Sequence, residues 1–140
     1  MKIMISLRIF KHIIKNHDSK QKNASTIDWP EHLVTLDEKT FENFIQKYPL
    51  SAVDFWASWC VPCKVMSPRI RRLSNIYKGK IAFGKFDIQE NQNIVNQYKI
   101  MGIPQLIFFR KGKKITNITG TKSIGYIKNI IEELLEKKDK

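Results

Sequence analysis

Cys60 and Cys63 are the two cysteines of the chain, separated by Val61 and Pro62. A pair at this spacing can supply part of a thiolate metal site, or it can cycle between dithiol and disulfide. A tetrahedral metal site needs four ligands, and no second such pair exists. His12, His17 and His32 all lie upstream of the pair, so no metal is expected. An iron–sulfur cluster bridging two chains, with two cysteines from each, is the other metal alternative and is not the expected use. As a structural staple the pair restrains almost no chain, because the loop it closes is so short. Redox chemistry is the leading use.

The segment Trp59-Cys60-Val61-Pro62-Cys63-Lys64 follows an apolar run, Ser51–Ala57, and opens a helical pattern. At a helix start the unpaired N–H groups and the macrodipole favour an anion, so Cys60 is placed to be a thiolate nucleophile. Cys63 lies nearly one turn on and can reach the Cys60 sulfur as the resolving thiol. Pro62 fits the first turn, where its missing N–H goes unmissed. Asp54 interrupts the apolar run. A carboxyl there would be desolvated and able to exchange a proton with Cys63 near neutral pH. Lys85, on the next core strand, could pair with Asp54. The plain alternatives are a satisfied core acid for Asp54 and a snorkelling lysine for Lys85. Trp56 and Trp59 flank the pair, as core packing or as a substrate-facing aromatic. Ile103-Pro104 before a strand fits a turn with a cis bond, which would expose the Ile103 backbone to an extended peptide.

The positioning elements follow from periodicity. His32–Thr35 reads as a short strand, and Thr35 with Glu38 has capping-box spacing. Phe41, Phe44 and Ile45 make a helical stripe that Pro49 stops. Cys60–Lys78 is a long helix with Pro68 inside it and Gly79 at its end. Lys80–Ile88 is a core strand and Gln92–Tyr98 a short helix. Gln105–Arg110 and Lys114–Thr119 form a hairpin around Gly112, and Ser123 caps a last amphipathic helix. The expected fold is α/β: a mixed central sheet, parallel strands plus an antiparallel hairpin, with helices on both faces.

The chain has 140 residues, 42% apolar and 11% aromatic, which favours one folded domain over disorder. No apolar run approaches the roughly 18 residues of a membrane span. The net charge is +12. Its positives are scattered, and no helix-turn-helix, zinc-finger or RNP-like pattern gathers them, so nucleic acid is not an expected partner. The densest groups are Arg69/Arg71/Arg72 and Arg110/Lys111/Lys113/Lys114. Residues 1–30 stand apart. Ile3, Leu7, Phe10 and Ile14 fall on one helical face opposite Arg8, Lys11, His12 and Lys15, and a polar linker, 16–28, follows. This basic extension suits a targeting sequence, a weak membrane-surface contact through residues 1–15, a docking helix or a plain tail. The folded domain is expected over 31–140.

Asp54 through Lys64 resembles the active-site segment of the thioredoxin family, of the Trp-Cys-x-Pro-Cys type. The likeness continues through Pro68, Lys85, Gly102-Ile103-Pro104, Gly112 and Gly120. It implies a thioredoxin-like fold and a protein-disulfide reductase with nucleophile Cys60, resolving thiol Cys63 and buried proton carrier Asp54. It implies a cis bond at Pro104 and a substrate groove of Trp59, Val61, Pro62, Ile103, Pro104 and Gly120. It also implies disulfide-containing protein substrates, a separate thioredoxin reductase, no cofactor beyond the cysteine pair, and a cytoplasmic monomer. Val61 stands where glycine is usual, and Gln105 where threonine is common. Two other readings stay open: a membrane-associated oxidase or isomerase of the same fold, and a thioredoxin-like binding module that scaffolds through its basic surface.

Overall fold

The computed structural model describes residues 26–90 and 92–137. The amphipathic stretch of residues 1–15 and most of the linker lie outside them. The elements run β1 (Val34–Leu36), α1 (Glu38–Lys47), β2 (Leu50–Trp56), α2 (Val61–Ile76), β3 (Ala82–Asp87), α3 (Gln92–Gln97), β4 (Gln105–Arg110), β5 (Lys113–Thr119) and α4 (Ile124–Glu136). The sheet order is β1-β3-β2-β4-β5. β3 pairs parallel with β1 and β2, whereas β4 runs antiparallel to both β2 and β5. The expected mixed α/β architecture is therefore present. The helix between β3 and β4 does not enforce a parallel return, because β4 enters the sheet from the opposite end.

Alternation along the strands sends apolar side chains to two sides. Leu50 and Ala52 of β2 face Met66, Ile70 and Leu73 of α2 and Ile127 and Ile131 of α4. Val53 and Phe55 face Phe41, Phe44 and Ile45 of α1 and Ile94 of α3. Phe41 anchors the second side, with Phe55, Phe86, Tyr98 and Phe109 rings at 5.4 to 6.0 Å. On the first side, polar contacts hold α4 in place. Arg69 donates to the Lys122 carbonyl at 2.8 Å, Arg110 to the Leu134 carbonyl at 2.7 Å, and Tyr77 to Glu132 at 2.9 Å.

Thr35 and Glu38 do not form the expected capping pair. Thr35 is held in β1 opposite Lys85. Asp37 takes the N-cap of α1, accepting from Lys39 and Thr40 N–H at 2.9 Å each, while the Thr40 hydroxyl accepts from the Asp37 N–H. A carboxylate adjoining the first turn meets both the orphan donors and the dipole, which a residue two positions upstream cannot. Ser123 caps α4 through the Tyr126 N–H at 3.1 Å. Lys111 and Gly112 both have positive φ, 49° and 84°, as a two-residue hairpin loop demands. Upstream of β1, Trp29 stacks on Tyr48 at 5.3 Å, and the Tyr48 hydroxyl donates to the Asp28 carbonyl.

Gly84 sits in β3 where a Cβ would lie 2.6 Å from Leu36 Cδ1 and 3.2 Å from Phe44 Cε1. Both neighbours are buried, so neither can swing away freely. Gly84→Ala is expected to lower stability by about 1–3 kcal/mol, the usual cost of overpacking, measured as a reduced urea midpoint.

Candidate active site

The β2–α2 junction builds the site. β2 ends at Trp56, two turn residues follow Ala57, and α2 begins at Val61 with Cys60 as its N-cap. The Cys60 sulfur accepts the Cys63 N–H at 3.2 Å, so sulfur takes the place that a capping oxygen usually fills. Pro62 occupies the first turn of α2. Cys60 and Cys63 are joined as a disulfide, with Cα atoms 5.3 Å apart. Both cysteines are buried with Ala57, and Trp56, Ile88 and Ile103 pack against the group.

Around this disulfide the surface is apolar and open. Trp59 is 63% and Val61 68% exposed, so Trp59 faces outward while Trp56 is half-buried. The Ile103–Pro104 bond is cis. The Gly120 N–H donates to the Pro104 carbonyl at 2.8 Å, which fixes Gly120, at φ 86°, beside the loop. Among the described residues the Ile103 backbone has no hydrogen-bond partner. A free main-chain donor and acceptor thus lie next to the disulfide.

Behind the disulfide a cavity of about 110 Å³ is lined by Asp54, Trp56, Cys63, Ser67 and Lys85. Asp54 is buried, and its Oδ1 has no hydrogen-bond partner; neither does Trp56 Nε1. Burial pushes the Asp54 pKa from 3.8 up to about 7, and the Lys85 charge partly opposes that rise. Lys85 lies opposite Asp54 in the β2–β3 register. The direct pairing foreseen for them is absent: the Lys85 ammonium rests over the Trp56 ring at 5.5 Å, and it acts on Asp54 through space. Ser67 was not singled out from the sequence. Its place four residues after Cys63 was the available signal, since that spacing puts both on one helix face. Met101, 95% exposed just before Gly102-Ile103-Pro104, was missed too, because a lone apolar residue in a loop has no periodicity. No cluster of three or more metal-ligating side chains occurs among the described residues.

A disulfide at a helix N-cap, flanked by a cis-proline loop and backed by a buried carboxyl, defines a thiol–disulfide oxidoreductase. The family model for thioredoxin matches residues 32–133. The thioredoxin of Staphylococcus saprophyticus is 33% identical over 103 residues, 74% of this chain and 98% of that protein. The thioredoxin of Chlorobaculum thiosulfatiphilum is 40% identical over 81 residues, 58% of this chain and 75% of that one. A mutant thioredoxin from Halobacterium salinarum shares the fold, with a TM-score of 0.73 at 23% identity, covering 81% of this chain and all of that one. The chain belongs to the thioredoxin family.

The raised Asp54 pKa has a consequence for stability. Between the ordinary 3.8 and about 7, folded Asp54 keeps a proton that the unfolded chain has lost. Stability therefore falls as pH rises through that window, and the full cost is present above it. Asp54→Asn is expected to raise unfolding stability above pH 7 by up to about 4 kcal/mol, with little gain near pH 4. Urea midpoints across pH 4–8 measure the effect, and a gain independent of pH would contradict it.

Proposed function

We propose that this thiol–disulfide oxidoreductase works in the reducing direction on protein disulfides. The Cys60 thiolate attacks one sulfur of a substrate disulfide. One S–S bond breaks, a mixed disulfide forms, and the first substrate sulfur leaves as a thiolate. Cys63 then passes its proton to the Asp54 carboxylate and attacks the Cys60 sulfur. The Cys60–Cys63 disulfide forms and the second substrate thiolate departs, so two electrons have moved to the substrate. A separate thioredoxin reductase returns the pair to the dithiol. Lys85 tunes how readily Asp54 accepts the proton.

The observation that carries this reading is the Cys60 sulfur at the N-cap of α2, bonded to Cys63 with a buried, unpartnered carboxyl behind it. Orphan N–H groups at that position favour the thiolate leaving group as well as the nucleophile. Trp59, Val61, Pro62, Ile103, Pro104 and Gly120 would form the substrate groove, with the free Ile103 main chain pairing an extended peptide. Val61 supplies a β-branched wall where a glycine would leave open space. The chemistry needs no cofactor beyond the cysteine pair and no nucleic-acid partner. We place it in a cytoplasmic monomer whose domain spans 31–140, with residues 1–30 as an addressing or surface-contact extension. No helix among the described residues is long and apolar enough to cross a membrane.

Dithiothreitol-driven insulin reduction tests the cycle. Cys60→Ser is expected to fall to the uncatalysed background. Cys63→Ser is expected to accumulate mixed disulfides that dithiothreitol releases, visible as shifted bands on non-reducing gels. Wild-type activity in Cys60→Ser would defeat the scheme.

A further inference from the structure

Lys85 borders two hollows. Thr35 is in register with Lys85, and Lys85 with Asp54, so these three polar residues form a row on one face of the sheet. The row runs inward from the edge strand β1. On its inner side Lys85 lines the cavity that holds Asp54 and Cys63. On its outer side it lines a second hollow of about 270 Å³ with His32, Leu33, Thr35, Arg71 and Asn75.

The outer hollow is built from donors. Exposed Arg71, His32, Thr35 and Asn75 line it together with half-buried Lys85, whose ammonium rests over the Trp56 ring on the inner side. No carboxylate lines it; the neighbouring Glu31 pairs with Lys78 and also attracts His32. Among the described residues the Arg71, Thr35 and Asn75 side chains have no hydrogen-bond or ion-pair partner. Arg69, from the same basic group, is instead committed to the Lys122 carbonyl. The hollow is several times the ~30 Å³ share of one water molecule.

We propose that the outer hollow binds a doubly charged tetrahedral oxyanion of the phosphate class, and that the bound anion acts on Asp54 through Lys85. An arginine fork beside a lysine point charge suits such an ion, and the hydroxyl and amide can satisfy its remaining oxygens. The protein's net charge of +12 raises the local concentration of anions. An anion there competes for the Lys85 charge that now favours the Asp54 carboxylate, so Asp54 holds its proton more tightly. By linkage, an ionised Asp54 weakens the anion's binding in return. The groups facing Asp54 are Lys85 and Lys64 across the inner cavity, with His32 and Arg71 beyond Lys85. Cys60 and Cys63 do not titrate while joined.

The test uses the full-length oxidised protein. Sulfate, whose charge is constant over the pH range, replaces chloride at fixed ionic strength while NMR follows the Thr35 and Lys85 backbone amides. Saturable shifts are expected. Arg71→Gln should weaken binding about tenfold or more, the loss of a charge-assisted hydrogen bond. Arg72→Gln removes the same charge from the adjacent, equally exposed residue, which does not line the hollow, and should leave binding unchanged. Saturating sulfate should move the Asp54 carboxyl titration, read by its 13C shift, to higher pH in the wild type but not in Arg71→Gln. Inorganic phosphate and a simple phosphate monoester, titrated the same way, separate a free ion from a phosphoryl group on a larger molecule. Non-saturable shifts, equal losses in Arg71→Gln and Arg72→Gln, or an unmoved Asp54 midpoint would each overturn the proposal. Insulin reduction by the same wild-type sample shows independently whether the cysteine cycle stands.

Discussion

A sulfur atom caps a helix, and the rest of the structure depends on that placement. The first turn of any helix leaves backbone N–H groups without partners, and they are usually met by oxygen. In α2 one of them, the Cys63 N–H, is met by the Cys60 sulfur, to which Cys63 is also bonded. The cap works only if β2 stops within a few residues of where α2 starts. Pro62 fits the first turn because it has no N–H that needs a partner there. Structural need and chemical capacity coincide at one atom, because the dipole that welcomes a cap also welcomes negative charge.

Holding that junction still is the task of the two apolar faces. α2 and α4 cover one side of the sheet, and α1 and α3 the other. β2 lies between β3 and β4 and is buried from Leu50 to Phe55. The cost of this arrangement is concentrated in Asp54, an unpaired acid in the strand that leads to the disulfide. Its burial opposes stability at neutral pH, and a strand selected for stability alone would carry an apolar residue there. The same burial brings its proton affinity to the range where sulfur chemistry runs.

Much of this was legible from residue order. The Cys60–Cys63 spacing, the acid within Ser51–Ala57 and the helical stripes of α1, α2 and α4 each declare themselves within a short window. What stayed hidden depends on relations between elements. The Thr35/Glu38 pattern suggested a cap that β1 had already claimed, because spacing does not reveal which residues a ladder will hold. Asp54 and Lys85 were correctly placed on neighbouring strands. The Lys85 preference for the Trp56 ring is a matter of side-chain reach, which periodicity does not encode. Ser67 and Met101 escaped for the same reason: their importance comes from what they sit beside.

The Trp29–Tyr48 stack lies at the start of β2, while the disulfide lies just past its end. The seven residues of that strand put the two roughly 20 Å apart, on opposite poles of the sheet. Trp29 is thus moored at the pole remote from the reactive sulfurs. Anything leashed to it would hold the molecule from behind, with Trp59 and Val61 turned outward to whatever approaches.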